Sequence, residues 1–248
     1  MKPSKKEIII SLKEINKIYP IGGGNKFHAL KQTNLNIYKG DHIGIVGNNG
    51  AGKTTLLKII TGITKPTSGT IRTKGKIVSL IDLEAGFHPE LSGKENIYIN
   101  GMLVGMNRNE IKKNEKLIFK FANIGTFINE PFYTYSSGMK FRLAFAIAIV
   151  SKCDILIMDE IFASGDRNFQ LKSFKLINKI LADKNITLII CSHIYSYVAA
   201  LSTKYYRLTN GVIKKITEHD ILSQIKSNDK KWEKIFNLKS KFSSKTND

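Results

Sequence analysis

Residues 47–54 read Gly47-Asn48-Asn49-Gly50-Ala51-Gly52-Lys53-Thr54, and the reading of this stretch decides the fold. It fits G-x-x-x-x-G-K-[ST], a loop whose glycines let consecutive backbone N–H groups turn inward towards anionic oxygens. The context agrees with the motif. A short apolar run of strand type, 42–46, leads straight into it, and helical spacing through Leu56, Leu57, Ile59 and Ile60 follows it. The N-terminal partial charge of that helix adds to the attraction for anions. Lys53 is expected to reach the β- and γ-phosphates of a nucleoside triphosphate, Thr54 to offer its hydroxyl to Mg²⁺, and Thr55 to add a contact at the α-phosphate.

Working outward, near-alternating apolar and charged residues predict a strand over 8–18. A turn follows at Gly22–Gly24, then a second strand over 30–37 closed by Lys39-Gly40-Asp41. Residues 70–81 read as two short strands broken at Lys74-Gly75. From 93 to 128 the pattern is helical, with apolar faces supplied by Ile97, Leu103, Ile111, Leu117, Ile118 and Phe121. Beyond it a strongly apolar helix (138–150), a strand (155–158), a helix (169–181), a strand (186–191) and a helix (194–201) succeed one another. A hairpin over 205–208 and 212–216 turns at Thr209-Asn210-Gly211. Strands alternating with helices predict the α/β class, with a mostly parallel sheet covered on both faces. After Thr217 the chain becomes charged with helical spacing. There Trp232, Ile235, Phe236 and Leu238 can form one packed face.

Composition sets the outer bounds. Hydrophobic residues make up 42% and charged residues 24% of the 248, which suits a chain that buries a core and excludes whole-chain disorder. The net charge of +19 admits nucleic acid or an anionic membrane surface as a partner. Lysine covering solvated faces accounts for it as well, since no aromatic-interleaved basic stripe is present. Cys153 and Cys191 lack metal-ligand spacing and read as inert buried thiols. The chain opens with Lys2, Lys5 and Lys6 rather than the apolar core of a secretion signal. No run approaches the ~18 apolar residues of a membrane span. The expectation is a soluble, cytosolic chain whose membrane role requires a partner.

Asp154-Ile155-Leu156-Ile157-Met158-Asp159-Glu160 is a buried-type strand that delivers two carboxylates at its carboxyl end, where ligands collect in open α/β sheets. Asp159 suits Mg²⁺. Glu160 can orient or deprotonate a water at the γ-phosphate; by itself it would equally be a solvated carboxylate at a strand end.

Tyr135-Ser136-Ser137-Gly138-Met139 opens a helix shortly before that strand. It resembles the signature loop of ABC transporter ATPases, usually LSGGQ. Ser136 and Gly138 keep the second and fourth positions, while Tyr135, Ser137 and Met139 depart. The resemblance runs from about Ile8 to Ile216. It implies a P-loop NTPase, specifically an ABC-type nucleotide-binding domain over 1–217. Such a domain has a mixed, mostly parallel sheet core, an antiparallel β subdomain and a helical subdomain at about 93–150; a short basic helical tail follows over 218–248. It also implies that Ser136 and Gly138 face the nucleotide held by a second copy. Tyr19 then stacks on adenine, Asp166 in Ala163-Ser164-Gly165-Asp166 couples the two sites, and His193 acts as the γ-phosphate switch. On residue type alone a lone histidine such as His193 is more often structural, and a stray surface or core tyrosine is the alternative for Tyr19.

A Gln ligand of Mg²⁺ is expected near Leu83 or Glu84, and neither is Gln; Glu84 is the candidate substitute. The stretch Ala85-Gly86-Phe87-His88-Pro89-Glu90-Leu91-Ser92-Gly93-Lys94-Glu95-Asn96 resembles polysaccharide-export ATPases of O-antigen, capsule and teichoic acid systems. So do Tyr135–Met139 and Gly165-Asp166-Arg167-Asn168-Phe169-Gln170. The implied assembly is a homodimer that binds ATP and Mg²⁺ on a separate permease at the inner face of the membrane. Its cargo is a lipid-linked polysaccharide, and no nucleic acid is expected. With only about thirty residues following Thr217 in this sequence, the expectation is a short capsule-type or short O-antigen-type subunit rather than one with a glycan-binding sandwich. Three alternatives stand beside this reading: a soluble ABC ATPase acting on ribosomes or nucleic acid, a module that holds ATP as a regulatory ligand, and an exporter of another cargo.

Overall fold

The computed structural model describes residues 6–159 and 167–228. The strands are β1 (Ile8–Pro20), β2 (Lys26–Tyr38), β3 (His42–Val46), β4 (Ser68–Thr73), β5 (Ile77–Ser79), β6 (Ile155–Met158), β7 (Thr187–Ser192), β8 (Lys204–Thr209) and β9 (Val212–Ile216). The helices are α1 (Lys53–Ile60), α2 (Gly93–Leu103), α3 (Arg108–Ala122), α4 (Ser137–Val150), α5 (Arg167–Leu181), α6 (Tyr195–Leu201) and α7 (Glu218–Asn228). The described residues also include short 3₁₀ segments at Gly22–Gly24, Gly125–Asn129 and Phe132–Thr134. The chain divides into two units, one of residues 1–75 with 184–248 and one of residues 76–183.

In the first unit β1 lies between β2 and β4 in an antiparallel sheet. Its inward residues, Ile10, Leu12, Ile15, Thr33, Leu35 and Ile37, are buried. The alternating Asn34 and Asn36 are exposed, as a half-buried sheet requires. The β1–β2 register shifts between Leu12 and Lys17, and side-chain amides complete the bonding there. Asn34 accepts from the Glu14 N–H and Asn16 from the Gln32 N–H, both at 2.9 Å. The same unit holds the parallel strands β7-β3-β8, with β9 antiparallel on β8. β3 is flanked on both sides, and its Ile43, Ile45 and Val46 have no solvent exposure. Asp41, in the predicted turn, is buried and accepts a 2.6 Å hydrogen bond from the Lys204 ammonium.

In the second unit β5 and β6 pair in parallel, with Ser79 level with Ile157. Asp154 fixes the start of β6 by accepting from the Lys76 N–H at 2.7 Å. Helices α2, α3 and α4 enclose a core of Ile97, Ile111, Ile118, Phe132, Leu143 and Ile147. Two capping boxes start the first two helices: Ser92 with Glu95, and Asn107 with Glu110. The helical pattern over 93–128 is therefore two helices and a 3₁₀ turn, because Gly105 (φ +79) and the Asn107 cap end one helix and begin the next. Two of the apolar residues read onto its faces point outward. Leu103, on the last turn of α2, is 66% exposed and Leu117 is 52% exposed, since the packed stripe runs through Ile111 and Ile118. The stretch 70–81 does form two strands, but β4 joins the antiparallel sheet of the first unit and β5 pairs with β6 in the second.

Candidate functional site

The loop 47–52 carries its geometry in three glycines. Gly47 follows β3, and a Cβ there would collide with the Leu208 carbonyl oxygen. Gly50 (φ +78) and Gly52 (φ +103) lie in the left-handed region, and a Cβ on Gly52 would strike the Ala29 carbonyl oxygen. Ala51 donates its N–H to the Asn48 carbonyl at 3.2 Å. The loop closes over Lys53, which is 6% exposed. Its ammonium donates to the carbonyl oxygens of Gly47 at 2.8 Å and Asn48 at 3.1 Å. A buried cation is thus held by the loop's own acceptors at the start of a helix with no acidic residue in its first turn. Thr54 in that turn is exposed and Thr55 is half-buried. A cavity of about 310 Å³ beside the loop is lined by Asn48, Asn49 and Gly50 together with Tyr195, Arg207 and Gln224.

Strand register brings further predicted residues to this edge. Val46 is level with Ser192 on β7, so Gly47 and His193 leave neighbouring parallel strands at the same end. His193 is exposed, and the Ser192 hydroxyl accepts from the Ile194 N–H at 3.0 Å as the chain turns away. Tyr19, near the end of β1, is level with Phe27 on β2. Two residues on in β2 is Ala29, whose carbonyl borders both Gly52 and Gly211. The aromatic end of the hairpin therefore flanks the loop.

The second unit holds the other predicted groups. Asp159 follows β6, at whose end Ile155–Met158 are buried, and is itself 9% exposed. Leu80 donates its N–H to the Ile157 carbonyl at 2.8 Å. The loop bearing exposed Glu84 consequently leaves β5 at the end where Asp159 leaves β6. Glu160 and Asp166 lie outside the described residues, as do Trp232, Ile235, Phe236 and Leu238.

At the start of α4, Ser136 is the N-cap and its hydroxyl accepts from the Met139 N–H at 3.3 Å. A Cβ on Gly138 would meet only the Arg142 guanidinium, at 3.6 Å, so the N-terminal face of this helix is open. The departures at Tyr135 and Met139 face the other way. Tyr135 is 4% exposed, packs 5.2 Å from the Phe132 ring and donates its hydroxyl to the Phe127 carbonyl. Burial pushes its pKa up to about 12, against an opposing hydrogen bond from the Gly93 backbone. Met139 packs on the same core. Tyrosine here is a core anchor, while Ser136 and Gly138, which keep the family's residues, and the departure Ser137 lie away from that core.

Residue-type reasoning missed Asn96. This fully buried side chain accepts from the His88 N–H at 2.8 Å. Its amide donates to the carbonyls of His88, Leu91 and Ser92 at 3.0–3.1 Å. It ties the 88–92 loop to α2, while Phe87 stacks on Phe132 at 4.4 Å. The available signal was an Asn one turn into a capped helix, where a polar side chain facing inward needs partners.

A strand, a glycine loop closed on a buried lysine and a helix define a phosphate-binding P-loop protein of the α/β class. The ABC transporter family model matches residues 30–163. The O-antigen export system ATP-binding protein RfbB of Myxococcus xanthus is 52% identical over 65% of this chain and 37% of its own length. A Klebsiella pneumoniae protein of the same description is 38% identical over 78% of each chain. Among solved structures, the dimeric ATP-binding cassette MJ0796 in a post-hydrolysis state bound to ADP and Pi superposes with a TM-score of 0.71. It is 25% identical and covers 84% of this chain and 99% of that one. The chain belongs to the ABC transporter family. It spans little more than a third of the Myxococcus relative. Among the described residues, no helix is long and apolar enough to cross a membrane.

Proposed function

We propose that this chain is the ATP-hydrolysing subunit of an ABC exporter, working as a homodimer on a separate membrane permease and powering export of a lipid-linked polysaccharide. The observation that carries the reading is Lys53, buried and bonded to the Gly47 and Asn48 carbonyls inside the glycine loop. An ammonium held inside a loop of inward-turned backbone N–H groups suits an anionic ligand. Gly47 to Gly52 would wrap the phosphates with backbone N–H groups, Lys53 would neutralise the β- and γ-phosphates, and Thr55 would reach the α-phosphate. Thr54 and Asp159 are hard oxygen donors of the type Mg²⁺ takes, with Glu84 a further candidate; the ion would offset charge on the phosphates. Tyr19 would stack on adenine. Glu160 would position the attacking water and His193 would sense the γ-phosphate from the end of β7.

The open N-terminus of α4, with Ser136 and Gly138, would complete the nucleotide site of the partner copy, and Asp166 would link the two sites. The dimeric MJ0796 structure supports this arrangement, and the names of the Myxococcus and Klebsiella relatives support a polysaccharide cargo. Residues 84–95, whose 88–92 loop is tied to α2 by Asn96, would meet the permease, and the chain would then sit at the inner face of the membrane. Glu160→Gln tests the mechanism. The variant should bind ATP, accumulate as a dimer with Mg²⁺ in size-exclusion chromatography and release phosphate about 10²–10³-fold more slowly than wild type. Wild-type turnover in that variant would remove Glu160 from the reaction.

A further inference from the structure

The base end of the site contains a contact that the reading above does not use. The Lys17 ammonium sits over the Tyr19 ring, 4.9 Å from its centroid. The same ammonium donates a 2.9 Å hydrogen bond to the Lys65 carbonyl. Lys65 belongs to the loop that follows α1, the helix whose first turn forms the phosphate cradle. Two more bonds stitch that loop to β1: the Thr67 N–H donates to the Asn16 carbonyl at 2.8 Å, and the Ile18 N–H donates to the Thr67 hydroxyl at 3.0 Å. One end of α1 therefore holds the phosphate loop, and the loop at its other end holds the cation that covers one face of Tyr19. Phe27, level with Tyr19, is 44% exposed, and Ile21, just past the end of β1, is 51% exposed, so apolar surface stands uncovered at this end of the hairpin.

We propose that Lys17 is a positioning residue for the nucleobase: pinned by the Lys65 carbonyl, it clamps one face of Tyr19 and presents the other to the base. This rests on the assignment of Tyr19 as the base-stacking residue. A cation over a ring is attracted by the ring's quadrupole, so the clamp fixes the ring plane and draws electron density from the face offered to adenine. Lys17 does not touch the nucleotide. Its effect passes through Tyr19 and is confined to ligands that carry a base.

The test compares Mg²⁺-dependent binding of ATP and of inorganic tripolyphosphate to the full chain by calorimetric titration. Lys17→Met keeps the apolar stem and removes the cation. It should weaken ATP about fivefold, the worth of one cation–π contact, and leave tripolyphosphate unchanged, which also reports an intact fold. Lys17→Arg should restore ATP affinity. In a Tyr19→Ala background Lys17→Met should have no further effect, because the two residues act in one chain of contacts. Equal weakening of both ligands, no change for ATP, or an undiminished Lys17→Met effect in the Tyr19→Ala background would each overturn the proposal. If Tyr19→Ala itself leaves the ATP-to-tripolyphosphate ratio at the wild-type value, the base-stacking assignment fails instead. Should Lys17→Met not fold, Lys17→Gln takes its place in the same comparison.

Discussion

Two helix N-termini in this chain carry serine, threonine and glycine in short motifs, and they are built in opposite ways. At α1 the backbone is forced: Gly50 and Gly52 take positive φ, a Cβ on Gly47 or Gly52 would strike a carbonyl oxygen, and Lys53 is buried in the bend. At α4 nothing is forced. Ser136 makes an ordinary N-cap, Gly138 has open space beside it, and the anchoring is done from behind by Tyr135. The first terminus closes on its own cation; the second leaves room beside Gly138 among the described residues. On the proposed reading the first terminus holds the chain's own nucleotide and the second serves the partner copy's, so the two should fail differently when damaged.

The largest effect is expected at the closed terminus. Lys53→Ala should lower ATP turnover by about 10³-fold and weaken ATP binding by the isolated chain, both read by phosphate release and titration. At the open terminus, Gly138→Asp puts a carboxylate where the partner's phosphates would come. Turnover should fall about 100-fold while ATP affinity of the isolated chain stays within about twofold. If Gly138→Asp weakens monomer binding as Lys53→Ala does, the contrast between the two termini is false.

The support behind the open terminus can be tested through stability. Asn96→Ala leaves the His88 N–H without its acceptor and removes three further side-chain bonds, while the carbonyls of His88, Leu91 and Ser92 keep backbone donors; it should cost about 2 kcal/mol in urea unfolding. Smallest is Tyr135→Phe, about 1 kcal/mol at neutral pH for the lost hydrogen bond to Phe127. Its pH dependence sharpens the reading. The folded-state pKa is pushed up to about 12 from an ordinary 10, so the unfolded chain loses this proton first as pH rises. The stability that the buried neutral hydroxyl contributes is full below pH 10 and declines towards pH 12. The advantage of wild type over Tyr135→Phe should therefore shrink across that window.

Much of this is legible in the sequence alone. The strand predicted at 42–46 and that at 155–158 have the observed bounds, and the helix after the glycine loop ends within a residue of expectation. These segments are short, apolar and bounded by glycine or charge, so local pattern and burial agree. The phosphate loop was equally plain, because its chemistry needs particular residues at particular offsets within one turn. The residues that hold these pieces in place were harder to read. Asn96 appeared as one more Asn in a chain rich in them, and Tyr135 as a departure from a motif. Lys17 appeared as one cation in a +19 chain.

The sequence by itself determined the class of fold, the phosphate cradle and the carboxylate Asp159 at the end of its strand, since each is written in consecutive residues. Tertiary structure alone decided that β4 and β5, separated by three residues, belong to different sheets. It also decided that Tyr135 and Met139 turn inward while Ser136 and Gly138 turn out, and that Lys17 lies over Tyr19 with its charge tied to Lys65. Each of those outcomes depends on which distant surface a side chain meets. Burial and hydrogen-bond satisfaction settle that only when the whole chain has packed.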